Sequence, residues 1–199
     1  SAPGSESEIL LTGEGRRIQQ EYDLLTDDPS LSCVPASVAR IWANPNSGIK
    51  IELSEDAVLI SYELFDLRRD IPIGDVSVMS VLPSTKNLSG TAFSEMGSSV
   101  AHLENDRLII ESRNHVLGYI RTSRGIPQSS NTVAFEELDI EEGALHITHT
   151  YIDNILYEKP IVLEYVFRKA EESDIFLYDC TDADYDWFDK LNASTQQLN

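Results

Sequence analysis

The chain has 199 residues, and its 15 Lys and Arg stand against 34 Asp and Glu, a formal charge of −19. That balance speaks against nucleic acid as a partner and against insertion into anionic membrane, because both repel a polyanion. The hydrophobic fraction of 41 % is enough for a folded core. Size scaling, from roughly 32,000 Å² unfolded to about 9,400 Å² folded, suits a single domain.

Taken in chain order, the polar opening through residue 11 lacks a charged-then-apolar leader and reads as a disordered or trimmed end. The next element is a helix. Thr12 can cap it, and Ile18, Tyr22 and Leu25 recur at i, i+4 and i+7 before Asp27-Asp28-Pro29 ends it. After residue 36 the period becomes two. Strands are predicted near 38–43, 49–53, 57–65, 76–82, 99–103, 107–112, 132–140, 144–152, 161–169 and 175–178, separated by turn signals such as Asn44-Pro45-Asn46-Ser47-Gly48 and Glu141-Glu142-Gly143. Segments 83–97 and 118–130 read as long loops. Tyr185, Trp187, Phe188 and Leu191 suggest a short C-terminal helix docked on the body, with a frayed tail over 192–199. Short strands at near-regular spacing, with no strand–helix–strand alternation, predict an all-β fold: an antiparallel closed barrel of about 8–10 strands over residues 12–191.

Cys33 and Cys180 are 147 positions apart, and there is no Cys-x-x-Cys. Spacing alone leaves two readings open, one disulfide or two buried free thiols.

Asp27-Asp28-Pro29 with Cys33 and Pro35, Tyr62-Glu63 with Arg69, and Met96-Gly97-Ser98 leading into Leu103-Glu104-Asn105-Asp106-Arg107-Leu108-Ile109-Ile110-Glu111 form an ordered set, completed by Glu136, Lys159-Pro160 and Tyr178-Asp179-Cys180. Over residues 12–188 this set resembles a family of secreted bacterial proteins with a DDPxxxCxP, YE, GHSxGxWEGDTLVVE and YxC pattern. The resemblance implies a lipocalin-like barrel in the periplasm or outside the cell and a Cys33–Cys180 disulfide. Ser98 stands where that pattern has histidine, Leu103 where it has tryptophan and Gly74 where it has aspartate. No activity carries over from it.

Alternation places Leu145, Ile147, His149 and Tyr151 on one, mostly apolar, face of their strand. His149 is therefore expected inside, either as a neutral general base and ligand contact or as a hydrogen-bonded core histidine. Glu63, Glu111 and Glu136, if they face inward, need cationic partners, and Arg69, Arg113 and Arg121 could supply them. Such a set can be an acid–base pocket or a structural ion network. His146 and His149 leave a strand on opposite faces, so no metal site is expected, and no cofactor fingerprint occurs.

Three functions follow. The first is an extracytoplasmic barrel binding a small hydrophobic or aromatic molecule, lined by Tyr62, Tyr119, His149 and Tyr151. The second is a cofactor-free isomerase, cyclase, hydratase or lyase pairing His149 with Glu63, Glu111 or Glu136, with Arg121 stabilising developing negative charge. The third is a structural or interaction barrel without a pocket, as monomer or homodimer.

Overall fold

The computed structural model describes residues 6–44, 47–171 and 175–182. Thr12 caps helix α1 (Gly13–Glu21), its hydroxyl oxygen accepting the Gly15 N–H. The helix lies on the turn around Leu156, where a Cβ on Gly15 would come within 2.3 Å of the Leu156 carbonyl oxygen. It ends one turn earlier than the sequence suggests, and Leu25 is exposed.

Segment 38–43, predicted as a strand, is helix α2 (Val38–Trp42). Five residues do not sustain a helix alone. The Ser37 hydroxyl accepts the Arg40 N–H, the Tyr151 hydroxyl accepts the Ala39 N–H at 2.7 Å, and Val38, Ala39, Ile41 and Trp42 are all buried. Tertiary contacts therefore decide against the strand.

Strands β1 (Ile49–Leu53), β2 (Ala57–Tyr62), β3 (Leu67–Pro72) and β4 (Thr85–Asn87) form one antiparallel sheet in that order. Next in the chain come β5 (Ser98–Glu104), β6 (Arg107–Arg113), the hairpin β7 (Gly118–Arg121) and β8 (Ile126–Gln128), then β9 (Val133–Glu141), β10 (Ala144–Ile152) and β11 (Ile161–Arg168). The second sheet is antiparallel with the order β11-β10-β9-β6-β5. The all-β, antiparallel expectation holds at this level. The two sheets meet at one parallel bridge, Ile73 to Ala101. No ladder extends it among the described residues, and neither sheet is closed into a barrel.

Three further expectations change. Segment 76–82 forms a single 3-10 turn (Val76–Val78) and then open chain, with Val76, Val78, Val81 and Leu82 exposed. Its period-two pattern finds no strand to pair with among the described residues. Segment 175–178 is not a strand either: the Phe176 N–H donates to Glu63 and the Tyr178 N–H to Asp66. The segments read as loops carry β4 and the β7–β8 hairpin. Residues 6–11, read as part of a disordered end, bridge Glu6 to Leu163 and Leu11 to Tyr157. The expected C-terminal helix lies outside the described residues. Among the described residues no helix is long and apolar enough to cross a membrane.

One apolar cluster lies between the sheets. Val58, Ile60, Leu67 and Ile71 come from the first sheet, and Ile110, Ala134, Ile147 and Leu163 from the second. Cys33 and Cys180 are joined, with the sulfurs 2.03 Å apart, and tie the segment after β11 back to the turn after α1. A closed loop of this length stabilises by at most about 5 kcal/mol in the chain-entropy account. Thiol alkylation of the denatured, unreduced protein is expected to label neither cysteine, and reduction to add two hydrogens to the intact mass. Labelling without reductant would refute the bond.

Candidate functional site

The second sheet's register sets up the interior. Glu136 on β9 lies opposite His149 on β10, and His149 opposite Leu163 on β11. Period-two alternation then points Glu136, Ile147, His149 and Tyr151 at the core. On the facing sheet, Leu67, Arg69 and Ile71 alternate inward along β3.

Arg69 and Glu136 are each fully buried and form a two-pronged pair, Nη1 to Oε1 at 2.9 Å and Nη2 to Oε2 at 2.7 Å. Neighbours take up part of the remaining capacity, while Arg69 Nε finds no partner among the described residues. Trp42 Nε1 donates to Glu136 Oε1 at 2.6 Å, and Arg69 Nη1 donates to the Tyr62 hydroxyl at 3.1 Å. Arg69 Nη2 also reaches Ser99 Oγ at 3.2 Å and Ser112 Oγ at 3.4 Å, and those two hydroxyls lie 2.7 Å apart. Burial alone would raise the Glu136 pKa, but Arg69, with help from the Trp42 donor, holds it below the usual carboxylate value. Burial also works against the Arg69 charge, and Glu136 more than offsets it. Both groups stay ionised.

His149 lies beside this pair and is fully buried, as its strand face predicts. Its ring packs against Tyr165 edge-on at 5.5 Å, Tyr151 in parallel at 6.2 Å and Trp42 edge-on at 6.2 Å between centroids. Among the described residues neither ring nitrogen finds a hydrogen-bond partner. Burial is the main reason its pKa drops to about 4, with Glu136 opposing the drop and Arg69 and Arg121 adding to it. The imidazole is neutral at pH 7.

The other predicted site residues are dispersed. Glu63 sits at the edge of the first sheet and accepts the Gly48 N–H at 2.6 Å and the Phe176 N–H at 3.1 Å. Glu111 pairs with Arg113 and lines an open cleft of about 400 Å³ with Gly74, Asp75, Val76, Val100 and His102. Tyr119 packs on Tyr22, ring centroids 4.3 Å apart, away from the His149 cluster. The Tyr62 and Tyr151 hydroxyls are taken by Arg69 and by the Ala39 N–H. Arg121 donates through Nη1 to the Tyr165 hydroxyl and through Nε to Glu6, both at 2.9 Å. Only Glu136, of the three carboxylates, lies beside His149, and it is bound by three donors. Among the described residues, no three His, Cys, Asp or Glu gather in a metal-holding group.

Sequence reasoning missed Trp42, Tyr165 and the Ser99–Ser112 pair as members. The Leu67-Arg69-Ile71 alternation was an available signal for an inward Arg69; a five-residue helix left none for Trp42. The chain matches no protein-family model and no curated protein sequence.

Two stability predictions follow. Glu136→Gln leaves the Arg69 charge buried and unpaired, and is expected to cost about 3–5 kcal/mol. The double replacement Arg69→Met, Glu136→Leu is expected to cost much less, measured by urea denaturation. Equal costs would mean that the pair's charge is not what makes the single variant unstable.

The pH response has two windows. His149 is harder to protonate folded than unfolded, so its contribution is complete above about pH 6.5 and is lost as pH falls toward 4. Buried His115 shifts the same way, chiefly through burial. Glu136 contributes above its ordinary pKa of 4.5 and loses that contribution on further acidification. His149→Leu should flatten the loss of stability between pH 6.5 and 4, by thermal midpoint, and leave the steeper loss below pH 4.5. An unchanged upper window would contradict the assignment to His149.

Proposed function

We propose that this is an extracytoplasmic protein of the periplasm or cell exterior that binds a small, largely apolar or aromatic molecule at the His149 end of its core. The observation that carries the reading is a fully buried imidazole, both nitrogens unpartnered among the described residues, inside a wall of Trp42, Tyr151 and Tyr165. A buried polar group without a partner costs about 1–3 kcal/mol, so a ligand that offers a hydrogen bond there recovers it. A neutral imidazole supplies one donor and one acceptor. Aromatic walls with few polar groups suit small-molecule recognition.

Binding is better supported than turnover. An acid–base enzyme on this frame needs a carboxylate free to take a proton beside His149, whereas Glu136 is fixed by Arg69 and Trp42 and kept ionised. The disulfide supports the compartment, since such bonds persist mainly in oxidising environments. A lipocalin-like wrap remains part of the proposal. The Ile73–Ala101 bridge, where the Gly74 N–H also donates to the Ala101 carbonyl at 2.8 Å, is the seam that supports it.

Native mass spectrometry of the purified protein is expected to show a bound small molecule. Titration of the stripped protein with that molecule should shift the His149 ring-nitrogen resonances. His149→Leu should weaken binding up to about tenfold, the worth of one hydrogen bond. A ligand whose affinity ignores His149→Leu, or a screen of aromatic compounds that moves no His149 resonance, would overturn the reading.

A further inference from the structure

The outer face of the second sheet is grooved. On β5, β6 and β9 the core takes Ala101, Ile110 and Leu138, so period two turns Val100, His102, Ile109, Glu111 and Glu137 outward. The cleft that holds Glu111 opens on this face, and a second cleft of about 380 Å³ holds Glu104, Arg107, Ile109 and Glu137. His102 borders the first cleft and Ile109 the second, and these two are cross-strand partners, so the clefts adjoin. Val100 and Ile109 give the groove an apolar floor, and Val76, 44 % exposed on its 3-10 turn, adds an apolar wall. Helices α1 and α2 pack elsewhere, against β8 and β7.

Carboxylates are set along this groove at a regular interval. The register defines three rows across β5, β6 and β9: Val100 with Glu111, then His102 with Ile109 and Glu137, then Glu104 with Arg107. One of Glu111, Glu137 and Glu104 stands in each row, and successive rows are two residues, about 7 Å, apart along the strands. Glu104 and Glu137 make no ion pair among the described residues. Glu111 is 8 % exposed, and among the described residues only its Oε1 is engaged, by Arg113. Arg107, the cation within the groove, is turned to Asp139 at 3.2 Å. Unspent negative charge thus repeats along an apolar floor.

We propose that this groove docks an extended segment of a basic partner protein that carries Lys or Arg at alternate positions. Alternate side chains of an extended chain share one face and repeat at about 7 Å, the interval of the rows. Their aliphatic stems lie along Val100 and Ile109 while the cationic heads reach the three carboxylates. Charge selects this occupant over others. A second copy of the chain brings a further charge of −19. The chain's own C-terminal stretch sets Asp182, Asp184, Asp186 and Asp189 against the single Lys190, so it carries the same sign as the groove. A basic partner, by contrast, is drawn in by the field of the whole molecule. Neither the groove nor its partner depends on the His149 cluster.

Fluorescence anisotropy with a labelled, end-blocked Lys-Thr-Lys-Thr-Lys peptide, on the intact disulfide-bonded chain, tests the site. A peptide of the same composition in block order, Lys-Lys-Lys-Thr-Thr, is the control. The alternating peptide is expected to bind several-fold more tightly than the block peptide. Glu104→Gln and Glu137→Gln face outward and leave the core intact, and each should weaken the alternating peptide by up to about fivefold, the worth of an exposed ion pair. Glu14→Gln and Glu21→Gln remove the same charge from α1, which lies by Leu156 at the far end of the sheet, and should change binding far less. Equal affinity for the two peptides, or equal losses from the α1 and groove variants, would reduce the effect to net charge and overturn the proposal. Spermine that binds more tightly than the peptide and loses affinity in the same groove variants would assign the groove to a polyamine, and would overturn it too.

Discussion

The ion pair between Arg69 and Glu136 is the constraint on which the interior is built. It joins the two sheets inside the apolar cluster, where an unpaired charge would be untenable. Its geometry tolerates little slippage. Moving β9 by one residue would turn Glu136 outward and bring Phe135 or Glu137 to the core face. Trp42, Tyr62, Ser99 and Ser112 each spend a polar atom on the pair, so α2, β2, β5 and β6 are fixed relative to it. A network of this kind specifies arrangement more than it adds stability, and the position of His149 follows from it through the β9–β10 register.

That dependence also accounts for the contrast between neighbours. Glu136 accepts from three donors, and among the described residues His149 has no hydrogen-bond partner. Both are fully buried, both are polar, and they face each other across one ladder. The first is therefore structural by its bonding. The second has both ring nitrogens open among the described residues, which is why the proposed recognition rests on the imidazole and not on the carboxylate.

The parts legible in the sequence were those governed by alternation along long strands. The inward face of β10, the burial of His149 and the need of an inward Glu136 for an arginine all follow from period two and the cost of buried charge. The Cys33–Cys180 bond was open on spacing and came only through family resemblance. What failed was governed by contacts distant in sequence. Val38–Trp42 has strand-like composition but is helical because Tyr151, more than a hundred residues later, takes one of its N–H groups. Val76–Leu82 alternates well and pairs with no strand among the described residues. β3 lies outside the predicted strands, although Leu67, Arg69 and Ile71 share one face. The convergence of Glu6 on Arg121 and Arg124 spans about 115 residues and has no local signature.

The net charge takes on a more specific meaning in this light. With 34 acidic side chains and only 15 Lys and Arg, cations are the scarce resource, and their placement carries more information than that of the carboxylates. One is committed wholly to the core at Arg69. Two meet at the β7–β8 turn, where their field is local because it is opposed by the rest of the surface. An anion approaching from bulk is repelled by the whole molecule at long range and attracted only within about a Debye length of those arginines, roughly 10 Å at 0.1 M salt. Added salt screens that long-range repulsion more than it weakens the close contacts of Glu6 with Arg121 and Arg124.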